Sequence, residues 1–231
     1  MPSRALITTR HAEPLRRSLS TLGLDAVHVA LLQTRPTGCP PPGPPPDLAL
    51  VTSATTARCC PALVEALGGA PVVAVGAHTA AALRAAGVQV VAVGAGGGPE
   101  AVALIRDHAQ PWDRIWYVGA RAPSEPLRAA LDAHRPPVAH WSVYETVVPS
   151  GVGGALSAAG PIDVALFASG SAVRAFVAHA RPPWPLVAVI GPRTAADARS
   201  AGLPVHAVAA ERSLDALAHA AAQAFSGRTS G

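Results

Sequence analysis

The chain contains one phrase twice, and that duplication limits what it can fold into. Val75-Gly76-Ala77-His78-Thr79-Ala80-Ala81 leads on to Arg84-Ala85-Ala86-Gly87, and Ile190-Gly191-Pro192-Arg193-Thr194-Ala195-Ala196 leads on to Arg199-Ser200-Ala201-Gly202. Superposed, residues 76–90 and 191–205 share Gly, Thr, Ala, Ala, Arg, Ala, Gly and Val. Each copy leaves an apolar β-branched run, turns on Gly and opens a helix with Thr in its first turn. Parallel-sheet proteins present backbone N–H groups to an anion in this way, although a single copy reads first as an ordinary strand-to-helix corner, most of which bind nothing. A second agreement, Glu13-Pro14-Leu15-Arg16 with Glu125-Pro126-Leu127-Arg128, extends the duplication over the whole chain. With 231 residues, half of them apolar, the chain can bury the cores of two compact domains of about 100 residues each.

Between these landmarks the periodicity alternates strand and helix. Strands are expected at 5–9, 26–29, 48–52, 72–75, 90–93, 114–118, 138–141, 163–167, 186–190 and 205–208, with an exposed ribbon at 143–148 matched by 31–35 in the first half. Helices are expected at 14–22, 56–67, 100–109, 124–133, 172–180 and 213–225, besides the two phrase helices, with Ser53 and Ser169 as N-caps and 226–231 as a frayed tail. Seven of the eleven residues from Pro36 to Pro46 are proline, which cannot pair centrally in a sheet, so a domain crossing is placed there. The Gly-rich turn at 94–99 fits neither GxGxxG, because Pro99 stands where Gly is needed, nor a Walker loop. It reads as a flexible turn entering a helix.

Composition removes several chemistries. All 18 basic residues are Arg, so neither a Schiff-base lysine nor a Walker lysine exists. A net charge of +4 built only of Arg suits a multiply anionic ligand, but a GC-rich genome would give the same Arg bias. The arginines are scattered singly, which gives no nucleic-acid footprint. Cys39, Cys59 and Cys60 read as reduced thiols, and the nine histidines lack metal-ligand spacing, so no metal is expected. With no long apolar run and no signal-peptide pattern, a cytoplasmic protein that binds no membrane is expected.

The order of short motifs carries a resemblance. Thr9-Arg10, Thr52-Ser53, the phrase from Val75, Val143-Tyr144-Glu145-Thr146, Phe167-Ala168-Ser169 with Ser171 to Phe176, and the phrase from Ile190 together resemble the uroporphyrinogen-III synthase family over nearly the full length. The resemblance implies an α/β fold of two flavodoxin-like parallel-sheet domains joined by a two-stranded linker. Residues 1–32 and 149–231 would form one domain, 38–141 the other, and 33–37 and 142–148 the linker, with both phrase copies facing a cleft. It implies a monomeric enzyme that cyclises hydroxymethylbilane to uroporphyrinogen III, losing water and inverting ring D, with no cofactor.

Within the resemblance, Tyr144 matches the family's linker tyrosine and is the candidate acid for the departing hydroxyl; packing in a ribbon is its other reading. Thr194 matches a threonine at the cleft, with Thr79 as its repeat partner. Ser53, Ser169 and Ser171 are candidate carboxylate donors as well as caps, and Arg10 and Arg121 follow strand ends where they reach either a carboxylate or a surface salt bridge. Ala168 stands where the family often has Thr. A non-catalytic anion-binding or regulatory domain descended from the synthase is the alternative function.

Overall fold

The computed structural model describes residues 3–10, 12–108, 110 and 114–229. The helix end expected at Ala109 and the tail residues Ser230 and Gly231 lie outside them. The chain divides into two compact units, Met1–Gln33 with Val147–Gly231, and Thr34–Thr146.

Unit 1 opens with β1 (Ser3–Ile7), α1 (Glu13–Thr21) and β2 (Leu24–His28). The chain passes into unit 2 at β3 (Gln33–Pro36) and continues through β4 (Leu48–Val51), α2 (Thr55–Cys59), α3 (Leu63–Leu67), β5 (Val72–Ala74), α4 (Ala77–Ala85) and β6 (Val90–Val93). There follow α5 (Gly98–His108), β7 (Ile115–Ala120), α6 (Glu125–Ala133) and β8 (Val138–Val147). Unit 1 resumes with α7 (Val152–Ala158), β9 (Val164–Phe167), α8 (Gly170–His179), β10 (Leu186–Val189), α9 (Pro192–Ser200), β11 (Ala207–Val208) and α10 (Leu214–Thr229).

The sheet of unit 1 runs β11-β10-β9-β1-β2, with every neighbouring pair parallel. That of unit 2 runs β3-β8-β7-β4-β5-β6 and is parallel from β8 to β6. Read side by side, β11-β10-β9-β1-β2 and β6-β5-β4-β7-β8 are one sheet built twice, entered by the chain at different strands. In chain order unit 1 has the flavodoxin strand order 2-1-3-4-5. Both repeated phrases therefore fall on matching strands, β5 and β10, and the repeated Glu-Pro-Leu-Arg opens the matching helices α1 and α6.

Central strands β4 and β9 are buried at every position, as strands covered on both faces must be. In unit 1, Leu6, Phe167 and Val189 pack under one helical layer with Phe176, while Ala5, Ile7 and Leu166 pack under the other with Leu15, Leu19 and Leu217. Unit 2 repeats this, with Val51, Trp116 and Leu83 on one face and Leu50, Tyr117 and Ile105 on the other. Alternate residues of a strand thus serve opposite layers.

The repeat extends to backbone hydrogen bonds. Gly87 (φ +85°) and Gly202 (φ +76°) end α4 and α9 in the left-handed region that favours glycine. Val88 N–H donates to Leu83 C=O at 3.0 Å and Gly87 to Arg84, while Leu203 donates to Ala198 at 2.9 Å and Gly202 to Arg199, the same Schellman closure twice.

Several expectations change. The helix expected at 56–67 is two short helices, because Pro61 has no N–H to continue the first and its ring disfavours a helical Cys60. Ser53 is not the N-cap of that helix; Ala54 is, and Ser53 Oγ accepts from Thr55 N–H at 3.1 Å one step earlier. The strands expected at 138–141 and 143–148 are one strand, β8. Residues 226–229 continue α10, and α7 was not expected. The proline-rich stretch lies within unit 2 as the β3–β4 loop, after the crossing, where Pro45 C=O accepts from Arg114 Nε at 3.1 Å.

Candidate active site

In a parallel sheet, ligands bind beyond the carboxyl ends of the strands, where the direction of chain winding reverses. In unit 2 that reversal lies between β4 and β7. A pocket of about 390 Å³ opens there, lined by Thr52 after β4, Val75 after β5, Gly96 to Gly98, Tyr117 and Ala120 of β7, Ser124, Leu127 and Tyr144 of β8. Its volume is within the range of small-molecule sites.

Tyr144 is brought to this pocket by a β-bulge. Gly119 pairs with Ser142 and Ala120 with Tyr144, so the register slips by one residue at Val143. A bulge bends the strand and re-aims the side chain after it. Arg121 N–H donates to Tyr144 C=O at 2.7 Å and holds the shifted strand. The phenol is half-buried beside the core around Trp141 and Val143.

Beneath it, Tyr117 is 1% exposed and its hydroxyl lies 3.5 Å from Thr52 Oγ1. Burial, first of all, raises its pKa, with Thr52 opposing, so the phenol stays protonated. A Cβ on Gly119 would overlap that hydroxyl, which explains glycine in mid-strand. Gly94 is required in the same way, since a Cβ would stand 2.8 Å from Val75 C=O. The Gly-rich turn, expected only as a flexible connection, thus forms one wall of the pocket. Two helix N-termini, those of α5 at Gly98 and α6 at Ser124, open onto it.

Arg121 stands beside the pocket but is tied to protein groups. Its guanidinium is 3.3 Å from Glu145, which also takes Arg35 at 2.8 Å, and it donates to Cys39 Sγ at 3.7 Å. Thr37, then Arg121, draws the Cys39 thiol below its ordinary pKa.

The remaining candidates lie elsewhere. Thr79 and Thr194 are buried in the first turns of α4 and α9, and neither hydroxyl caps its helix. Thr79 does not line the pocket, although Val75 at the start of its phrase does. In unit 1, Arg10, Ser169 and Thr194 follow β1, β9 and β10, three adjacent strands, at the edge matching the unit 2 pocket. Ser169 Oγ caps α8 by accepting from Ala172 N–H at 3.2 Å. Ser171 accepts from Arg174 at 3.2 Å, and in unit 2 Thr55 accepts from Arg58 at 3.0 Å, a duplicated hydroxyl–guanidinium pair. A Cβ on Gly170 would overlap the Asp197 carboxylate, so an acid of the chain already sits at the α8 N-terminus. Sequence patterning did not single out Thr52, Tyr117, Ser124, Arg58 or Arg174 as site residues. For the two arginines a signal existed in the aligned Ser-x-[Thr/Ser]-x-x-Arg of residues 53–58 and 169–174.

Among the described residues no three His, Cys, Asp or Glu side chains cluster as metal ligands, and no helix is long and apolar enough to cross a membrane.

Fold and pocket define a duplicated, doubly wound α/β protein with a pocket at strand carboxyl ends of unit 2. The family described as uroporphyrinogen-III synthase HemD matches residues 13–219. The chain therefore belongs to the uroporphyrinogen-III synthase family, and it is an enzyme of porphyrin biosynthesis. The fold is similar to uroporphyrinogen-III synthetase from Helicobacter pylori, at TM-score 0.71 and 18% identity, covering 95% of this chain and 97% of that one. It is also similar to a mutant uroporphyrinogen III synthase from the extremely thermophilic bacterium Thermus thermophilus, at TM-score 0.62 and 20% identity, covering 98% and 100%. No curated protein sequence is significantly similar to the chain. A regulatory descendant is not favoured by these relationships.

Proposed function

We propose that the unit 2 pocket is where hydroxymethylbilane is closed to uroporphyrinogen III, with Tyr144 as the acid. The pyrrole nitrogen of ring A drives out the hydroxyl of its hydroxymethyl group. Tyr144 gives that oxygen its phenolic proton, so water leaves and an electrophilic methylene remains on ring A. Ring D attacks through its substituted α-carbon, which becomes a spiro centre. The bond from that carbon to the ring C methylene then breaks, ring D's unsubstituted α-carbon captures the freed methylene, and the proton that carbon sheds on rearomatisation restores the phenol. A positioned acid contributes about 10²- to 10⁴-fold, and holding the reacting rings together contributes more.

The observation that carries this reading is the bulge at Val143, which turns the one tyrosine of β8 into a pocket at the carboxyl ends of parallel strands. The pocket is smaller than a tetrapyrrole and suits its reacting end. The acetate and propionate arms are matched by the N–H groups of the α5 and α6 N-termini and by neutral hydroxyls. Thr194, Ser169, Ser171 and Arg10 in unit 1, and Thr79, Ser53 and Arg121 in unit 2, are proposed carboxylate donors, each considered within its own unit, with Arg121 shared with Glu145. The protein acts as a cytoplasmic monomer on this small-molecule substrate and binds neither nucleic acid nor membrane.

The test supplies freshly made hydroxymethylbilane and separates the porphyrin isomers after oxidation. The type III isomer is expected to dominate. A product containing only the type I isomer that forms spontaneously would sink the proposal.

A further inference from the structure

Tyr117 and Thr52 form a hydroxyl pair that the chemistry at Tyr144 leaves unused. Tyr117 is almost wholly buried yet lines the pocket, and a buried phenol needs a hydrogen-bond partner. Its partners are the Ala120 backbone and Thr52 Oγ1, the latter 3.5 Å away, at the outer limit of a hydrogen bond. Thr52 lines the same pocket. Two hydroxyls at this spacing on one wall suit a single carboxylate that accepts from both better than they suit each other.

The ring is held in place for that purpose. Tyr117 pairs with His140 across β7 and β8, and the two rings stack with centroids 4.8 Å apart at 38°. His140 is itself fixed by a 2.9 Å hydrogen bond with Ala120 C=O. Gly119 leaves the space in which the hydroxyl sits.

We infer that Thr52 and Tyr117 together bind one carboxylate arm of the reacting pyrrole and so set its position relative to Tyr144. The inference rests on the proposal that this pocket receives the tetrapyrrole. Binding of uroporphyrinogen III, followed anaerobically by quenching of tryptophan fluorescence, is measured beside steady-state turnover. Tyr117→Phe and Thr52→Val are each expected to weaken product binding and raise KM about tenfold, the range of one hydrogen bond to a charged group. The double variant is expected to be no worse than either single one, and Thr52→Ser to restore binding. Wild-type binding in Thr52→Val, fully additive losses, or a loss confined to kcat would overturn the inference. If Tyr117→Phe does not fold, the contrast between Thr52→Val and Thr52→Ser decides alone. Full turnover in Tyr144→Phe would remove the acid assignment and leave the binding result to stand or fall by itself.

Discussion

Tyr144 pairs with Ala120 one residue out of step, because Val143 is an extra residue in β8. That slip decides which face of the strand carries the phenol. In unbroken register Tyr144 and Ser142 would share a face by strict alternation. With the bulge, Tyr144 lines the pocket beside Thr52 and Tyr117. The residue after it, Glu145, then holds Arg35 of β3 and Arg121 after β7 together.

Glu145→Gln is therefore expected to loosen both ion pairs. The Glu145 side chain is 18% exposed, but Arg35 and Arg121 are 60% and 53% exposed, so solvent screens most of the attraction. We expect a loss of about 1 kcal/mol in urea unfolding, smaller in high salt. A variant as stable as wild type at low salt would show that the cluster contributes nothing.

Gly119→Ala places a methyl group where the Tyr117 hydroxyl lies. The ring must move, at a cost of about 1–3 kcal/mol for overpacking. The expected outcome is a lower Tm together with a raised KM, as in Tyr117→Phe. An unchanged Tm and KM would mean that the phenol does not lie over Gly119.

The alkaline limb of the stability curve is simple, because the chain has no Lys and only two Tyr and three Cys. Burial raises the Tyr117 pKa in the folded state, and burial does the same to Cys60. In each case the folded state retains the proton longer than the unfolded one. Their contribution is complete below the unfolded values, about 9 for the thiol and 10 for the phenol, and is lost as pH rises through the folded ones. Urea midpoints are expected to fall above about pH 9–10, less so in Tyr117→Phe. Midpoints that rise in this range would contradict the sign.

Much of the fold was legible because its signals are local. The phrase ends in Gly87 and Gly202, and these produce the same helix closure twice. Ser169 read as a cap is a cap. Pro61 was visible too, but the apolar period on either side of it concealed the break between α2 and α3. What stayed hidden depends on register and topology. The bulge at Val143 interrupts the period-two pattern, so β8 looked like two strands. Tyr117 lies in the apolar run of β7, where an aromatic that faces a pocket and one that faces a core look alike. The role of the Gly-rich turn appears only once β4 and β7 are neighbours, with β6 and its turn at the same sheet edge.

The most direct test is single-turnover conversion of hydroxymethylbilane by Tyr144→Phe, with the fold checked by circular dichroism. Loss of the phenolic proton is expected to slow conversion at least about tenfold, within the range of a general acid, with product binding little changed. Turnover close to wild type in that variant would contradict the assignment and leave Tyr144 a structural residue of β8.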